Sequence, residues 1–286
     1  MEKNMVDVYV TSAFSKNNKG GNKAGIILNM LHLEYSKKLE ISKKLGYSET
    51  AFVQNSDIAD FKLQYFTTTE EVPLCGHATI AAFSTLMLLG LLDKQNYKIE
   101  TKAGILNIQI KENGLVFMEQ NCPLYLDILA PDVFERCIDK NFIDSSLPIQ
   151  IVSTGLNDIM LPVCSKEHLE KLSPDLKMIT KLSKEKNVVG IHIFALSEEP
   201  GITAICRNFA PLYGINEEPA TGTSSCALAC YLFKYYEKKS SYIFEQGYNL
   251  GRISRIIVNI TYHKDIIDSV YVGGYGHLLG KKSLSV

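Results

Sequence analysis

The sequence lacks net charge, long apolar runs and a cysteine framework, and each absence removes a class of function. Its 30 basic and 31 acidic residues leave a formal charge of −1. That gives no electrostatic reason to expect nucleic acid or an anionic membrane as a partner. No stretch approaches the roughly 18 consecutive apolar residues of a membrane-spanning helix. Met1-Glu2-Lys3-Asn4 runs straight into an alternating segment without the apolar core of a secretory signal. The seven cysteines, an odd number at irregular spacing, do not form a disulfide framework, so a reduced, cytoplasmic setting is expected. His32, His168, His192, His263 and His277 are scattered, with no HExxH-type spacing, and no metal is expected. Cys226 and Cys230 lie four apart on an apolar segment, but no histidine or acid joins them, so they read as packing.

What is present is ordinary globular material: 286 residues, 46% hydrophobic and 21% charged, enough for one large or two ordinary domains. The organising stretch runs from Phe61 to Gly90. Phe61-Lys62-Leu63-Gln64-Tyr65-Phe66 alternates like a strand, and Thr67 to Pro73 is a polar turn. After Cys75-Gly76-His77, the segment from Ala78 to Leu89 is apolar nearly all round, as a buried helix would be. A glycine turn that opens such a helix presents free backbone N–H groups and the positive end of the helix dipole, a ready anion site.

The chain builds this unit twice. Thr203 to Phe209 reads as the second strand, Pro211 to Pro219 as the turn and Ser224 to Phe233 as another apolar helix. Glu71-Val72-Pro73-Leu74-Cys75-Gly76-His77-Ala78-Thr79 aligns with Glu217-Glu218-Pro219-Ala220-Thr221-Gly222-Thr223-Ser224-Ser225 without a gap, and Glu, Pro and Gly coincide. We read an internal duplication whose two glycine turns face one ligand.

Around these motifs the pattern is strand-rich. Val6–Val10, Ala24–Leu28, Tyr47–Val53, Tyr97–Thr101, Ile105–Lys111 and Leu115–Gln120 read as strands, with an amphipathic helix over Leu33–Leu45 ended by Gly46. Glu49 falls inside one of those strands, where a buried carboxylate must be paired or protonated. Asn121-Cys122-Pro123 is the expected domain boundary. Beyond it, Pro131–Asp139 suggests a short helix, and the lysine-rich stretch from 166 to 186 suggests one or two surface helices. Further strands are expected at Ile149–Ser153, Ile159–Val163, Val188–Ala195, Tyr242–Gly247, Ile253–Tyr262 and Ser269–Val272.

Several of these segments resemble signatures of one known family. Gly21-Asn22-Lys23-Ala24-Gly25, Ser48-Glu49-Thr50-Ala51-Phe52-Val53, Phe66-Thr67 and Cys75-Gly76-His77-Ala78-Thr79 are similar to those of the phenazine-biosynthesis isomerase-like (PhzF-like) family. So are Arg207-Asn208-Phe209-Ala210-Pro211, Pro219-Ala220-Thr221-Gly222-Thr223, Glu245-Gln246-Gly247 with Gly251-Arg252, and Val272-Gly273-Gly274. The resemblance implies an α+β fold of the diaminopimelate-epimerase-like kind. This has two pseudo-symmetric halves, each a β-barrel wrapped around a central apolar helix. On that reading 1–122 is the first half and 123–272 the second, with 273–286 returning to the first.

The resemblance further implies a cofactor-independent isomerase, commonly a homodimer, that moves a proton on a small carboxylate-bearing substrate. It places the acid/base carboxylate at Glu49, a substrate-contacting histidine at His77 and a third catalytic group at Glu218, where the family usually has Asp. One extra methylene moves that carboxylate by about a bond length, enough to retarget a proton transfer. Gly76, Gly222 and Thr223 would offer N–H groups and a hydroxyl to a substrate carboxylate. Asn22 would pin the ligand or serve only its turn. Glu217, beside Glu218, reads as solvated. Cys75 is either an activated thiolate or a small buried thiol. The epimerases of this fold oppose two cysteines, whereas here Cys75 faces Thr221, which cannot be an equivalent base. An amino-acid racemase or epimerase using Cys75, or an inactive ligand-binding relative, are the alternatives.

Overall fold

The computed structural model describes residues 5–28 and 33–285, so His32 lies outside it. Among the described residues it has eighteen strands and five α-helices, a mixed α+β chain that is mostly sheet. In order these are β1 (Met5–Ala13), β2 (Asn22–Leu28), α1 (Tyr35–Leu45), β3 (Thr50–Gln54), β4 (Phe61–Phe66), β5 (Glu71–Val72), α2 (Gly76–Leu88), β6 (Asn96–Thr101), β7 (Gly104–Ile110) and β8 (Val116–Gln120). There follow β9 (Leu124–Leu129), β10 (Ile149–Ser153), β11 (Asn157–Pro162), α3 (Lys166–Lys171), α4 (Leu176–Lys186), β12 (Gly190–Leu196), β13 (Ala204–Ala210), β14 (Ile215–Glu218) and α5 (Gly222–Tyr235). The chain ends with β15 (Ser241–Gln246), β16 (Ser254–His263), β17 (Ile266–Gly274) and β18 (Gly276–Ser285). No helix among them is long and apolar enough to cross a membrane.

The chain divides into two compact units, one running up to Glu119 and resuming at Gly273, the other Gln120–Val272. Both are wired in the same way. In the first, β1–β2 pair antiparallel, β2–β3 parallel, β3–β4 and β4–β5 antiparallel, β4–β6 parallel and β6–β7 antiparallel. In the second, β10–β11 pair antiparallel, β11–β12 parallel, β12–β13 and β13–β14 antiparallel, β13–β15 parallel and β15–β16 antiparallel. Each parallel pair is joined across a helical connection, as parallel pairing requires. Within the first unit, β18 runs antiparallel along β1.

Both apolar helices are buried along most of their length, His77 to Leu86 in α2 and Ser224 to Phe233 in α5. Each Ile, Leu or Phe so enclosed contributes about 1.5–3 kcal/mol. Two buried threonines of α2 are satisfied inside, while Ser84 Oγ has no hydrogen-bond partner. Thr79 Oγ1 and Thr85 Oγ1 lie 2.6 Å from Tyr65 Oη and 2.7 Å from Thr11 Oγ1, respectively. Gly276 lets β18 pass directly over α2, since a Cβ there would stand 2.2 Å from Ser84 Oγ.

Four strands were not expected, and each has a reason. β5 and β14 are acidic segments inside the two turns and become strands by pairing with β4 and β13. β9 alternates but sits next to the expected boundary, and polar, exposed β18 exists through its pairing with β1. The helix expected over Pro131–Asp139 is instead a 3-10 turn at Pro131–Phe134, followed by another at Lys140–Phe142. The strand expected from Tyr47 starts only at Thr50, so Glu49 lies just before it. The basic stretch does form two helices, α3 and α4.

The second unit encloses titratable groups with no exposed face. Asp158, at the start of β11, accepts a 2.6 Å bond from Ser224 Oγ of α5. Burial pushes its carboxyl up to about 7 from the ordinary 3.8, although Ser224 and the Gly190 amide pull it down. A carboxyl raised in this way holds its proton longer in the native than in the unfolded chain. Its stabilisation is complete below about pH 4 and is lost as pH rises through 7. Asp158→Asn should therefore gain on the wild-type protein by a few kcal/mol between pH 4 and pH 8, at about 1.4 per pH unit. Urea unfolding at both pH values measures this; a difference that does not vary with pH would contradict it.

Candidate functional site

Four of the expected site residues come together in the first unit. Asn22 opens β2 directly after Gly20 and Gly21, both at positive φ, and is only 5% exposed. Gly46 stops α1 in the left-handed conformation, and the chain bends at Ser48 and passes through Glu49 into β3, with Glu49 O accepting from Gly25 N at 3.3 Å. Cys75 is the extended N-cap residue of α2, and His77 is the second residue of that helix. Fixed by these elements, the side chains converge on the His77 ring, which is 6% exposed.

One ring nitrogen, Nδ1, lies 3.4 Å from Asn22 Nδ2 and 3.5 Å from Cys75 Sγ. The other, Nε2, lies 3.4 Å from Ser48 Oγ and 3.2 Å from Glu49 Oε2. An amide NH₂ can only donate, so Nδ1 is the acceptor and Nε2 carries the proton. Burial holds the imidazole below its ordinary value, and the charge on Glu49 opposes this only in part. His77 is thus a neutral ring. Its approach to Glu49 is short but not directed as a hydrogen bond. The buried Oε2 therefore has no hydrogen-bond partner, although the Glu49 side chain as a whole is 16% exposed. Leaving a buried acceptor unsatisfied costs about 1–3 kcal/mol, more for a charged one.

The second unit supplies the other expected residues. Glu218 ends β14, and its Oε2 accepts from Thr221 Oγ1 at 2.7 Å. Gln246, fully buried, ties the turn together: its Oε1 accepts from Thr221 N at 3.2 Å and its Nε2 donates to Glu218 O at 2.7 Å. Gly222 opens α5, and Thr223 O accepts from Thr154 Oγ1 at 3.2 Å. Neither N-cap side chain, Cys75 nor Thr221, makes a capping bond to its helix. The amides of Gly76 and Gly222 thus begin helices whose dipoles point outward there.

Two residues of this arrangement were not singled out from the sequence. Ser48 and Gln246 each lie within a recognised motif, but only their contacts show what they hold. One expectation is corrected: Glu217 is not solvated. Arg207 Nε and Nη2 grip its two oxygens at 2.9 and 2.8 Å, while Arg207 Nη1 donates to the carbonyls of Leu169 and Leu172. Cys226 and Cys230 are fully buried in α5, where burial pushes both thiols up.

Among the described residues, Glu49, Cys75 and His77 bring a carboxylate, a thiol and an imidazole within 4.8 Å of one another. A zinc-type ion favours such donors. Here, however, the ring turns opposite nitrogens to the thiol and the carboxylate, so one ion cannot use both short approaches. The cluster reads better as a proton path than as a cation cage.

Loss of the Glu217 carboxylate would strand a buried guanidinium. Glu217→Ala should destabilise the protein by about 3–5 kcal/mol. Chemical denaturation would measure this, and a change below about 1 kcal/mol would show that the pair is not structural.

Comparison with known proteins agrees with this architecture. The PhzC-PhzF model, described as phenazine biosynthesis-like protein, matches residues 11–280. The chain is 34% identical over 296 residues to an uncharacterized isomerase of Clostridium acetobutylicum, covering 97% of each. It is 30% identical to a Bacillus anthracis phenazine biosynthesis protein of the PhzF family and superposes on its crystal structure with a TM-score of 0.91, covering 99% of this chain and 100% of that one. A hydroxyproline epimerase of Agrobacterium vitis, solved with trans-4-hydroxy-L-proline, shares the fold at 13% identity. Its TM-score is 0.64, over 100% of this chain and 94% of that one. The chain belongs to the PhzC-PhzF, phenazine biosynthesis-like, family.

Proposed function

We propose that the protein is an isomerase that moves a proton on a small carboxylate-bearing metabolite by general acid–base catalysis, with Glu49 taking the proton and giving it back. The observation that carries this reading is the buried, unpartnered Oε2 of Glu49, 3.2 Å from His77 Nε2. That oxygen is free to receive a proton, and a base positioned in this way contributes about 10²–10⁴-fold to a proton transfer. His77, neutral and with its proton on Nε2, orients the carboxylate and can donate to charge that develops on the substrate. The uncapped N-terminus of α2 at Gly76 suits the substrate carboxylate. In the second unit, Glu218, Thr221, Gly222 and Thr223 are proposed as groups that orient polar substituents.

Each unit is proposed to be a barrel wrapped around its apolar helix, a reading supported by the burial of α2 and α5 and by the repeated pairing order. Homodimerisation and independence of an organic cofactor, which the family resemblance implies, and a cytoplasmic setting, which the cysteine pattern suggests, complete the proposal. Racemisation by two thiols is disfavoured because Thr221 stands at the helix start matching that of Cys75, with its hydroxyl committed to Glu218.

The test is deuterium uptake from heavy water into a panel of small carboxylic and amino acids. Exchange into the accepted substrate should fall about 10²–10⁴-fold in Glu49→Gln while ligand binding changes little. Exchange that persists at the wild-type rate would remove Glu49 from the mechanism, and tight binding without exchange under any condition would mark an inactive relative.

A further inference from the structure

We propose that Cys75, His77 and Glu49 form one thiol–imidazole–carboxylate relay that makes Cys75 a nucleophile toward small carbon electrophiles such as alkyl halides and activated alkenes. The inference builds on the proton-transfer reading of the same cluster and adds an activity that reading does not need.

Geometry is the basis. Cys75 Sγ lies 3.5 Å from His77 Nδ1, and the opposite nitrogen of the same ring lies 3.2 Å from Glu49 Oε2. The Asn22 Nδ2 contact marks Nδ1 as the unprotonated nitrogen, and a thiol proton moving there takes its lone pair in place of that long 3.4 Å contact. Once Nδ1 is protonated, the ring becomes a cation whose other edge faces a carboxylate with an unfilled acceptor. The thiol occupies the N-cap of α2, where the helix dipole favours a thiolate. β2 presents neutral Asn22, β8 presents Met118 beside Gly76, and β4 presents Tyr65. Tyr65 is bonded to Thr79, and its phenol is pushed far up by burial, so it stays neutral. His77 and Glu49 are the charge-bearing groups that share this cluster with the sulfur. Burial disfavours the imidazolium, and the Glu49 carboxylate is the group that offsets it.

With an alkyl halide, the sulfur–carbon bond forms as the carbon–halogen bond breaks. Halide leaves with its electron pair, and the thiol proton ends on His77 Nδ1. With an activated alkene, sulfur adds to the β-carbon, the electron pair moves to the α-carbon, and His77 returns the proton there. Neither step needs an oxidant or a second reactant. Either adduct places a substituent against Glu49, so modification should block proton exchange.

The experiment is iodoacetamide labelling from pH 5.5 to 9, followed by mass spectrometry of the cysteine peptides, in the wild-type protein, His77→Gln and Glu49→Gln. The molecule carries its own references. Cys122 and Cys164 are exposed thiols, and Cys137, Cys206, Cys226 and Cys230 are buried ones that label only on unfolding. At pH 6.5 Cys75, although only 8% exposed, should label faster than Cys122 and Cys164 in the wild-type protein. His77→Gln should slow it by about tenfold or more, and Glu49→Gln by a smaller factor, with the two references unmoved. Labelling of Cys75 no faster than the references, or at a rate untouched by His77→Gln, overturns the proposal. Should a variant label its buried cysteines, the wild-type profile decides alone: a midpoint at or above the ~8.5 of an ordinary thiol overturns the relay. Loss of deuterium exchange in Glu49→Gln alongside an ordinary Cys75 keeps the proton-transfer reading and removes only the relay. A reactive Cys75 with no exchange does the opposite.

Discussion

A carboxylate oxygen held inside the protein without a hydrogen-bond donor is the constraint on which the rest of this structure turns. Water would satisfy Glu49 Oε2 at no cost, whereas here it faces the edge of a buried ring. The fold keeps it there through the backbone. Gly46 ends α1 with a left-handed turn, Glu49 O is tied to Gly25 N, and β3 follows at once between β2 and β4. The ring has no freedom to turn away either, because Asn22, Ser48 and Cys75 occupy its two polar edges. Local rules are broken at this point, as is usual where a protein stores reactivity and compensates elsewhere.

The two units share one wiring diagram and differ in chemistry. In both, a parallel pair forms across a helical crossover, and its first partners are Gly25 with Thr50 in one unit and Asp158 with Gly190 in the other. The residue just before the second strand is Glu49 in the first unit and Val189 in the second. Where the first unit has Cys75 and His77 at the start of its helix, the second has Thr221 and Thr223. The glutamates at the matching turns have separate structural partners, Lys102 for Glu71 and Arg207 for Glu217. The same pairing order thus recurs in both units, while the cluster of Glu49, Cys75 and His77 belongs to the first. In the second unit the buried acids have other partners: Asp158 accepts from Ser224, and Glu245 is paired with Arg255.

Much of this was legible before any coordinates. The two apolar helices announce themselves because burial on every face demands apolar residues at every position, and the alternating strands because one face is covered. The short strands β5 and β14 were not legible, since acidic residues favour neither element and only pairing with β4 and β13 makes them strands. Nor was β18, whose Lys281 and Lys282 suit an exposed tail as well as an edge strand. Glu217 looked solvated because a glutamate next to another glutamate usually is. Its actual partner, Arg207, lies on the neighbouring strand at a distance no local pattern encodes.

By itself the sequence determined the repeated glycine-turn motif, the α+β class and the family, because each is carried by residue order and local periodicity. Only the tertiary structure decided which side chains meet. It set the ring of His77 between a thiol and a carboxylate, left Glu49 Oε2 without a donor, recruited Ser48 and Gln246, and gave Glu217 a structural role. The physical reason is that hydrogen bonding and desolvation depend on distances of a few ångströms between residues far apart in the chain. Asn22 in β2, Glu49 in the segment before β3 and His77 in α2 are far apart in the chain, and nothing local to any of them specifies the geometry they share.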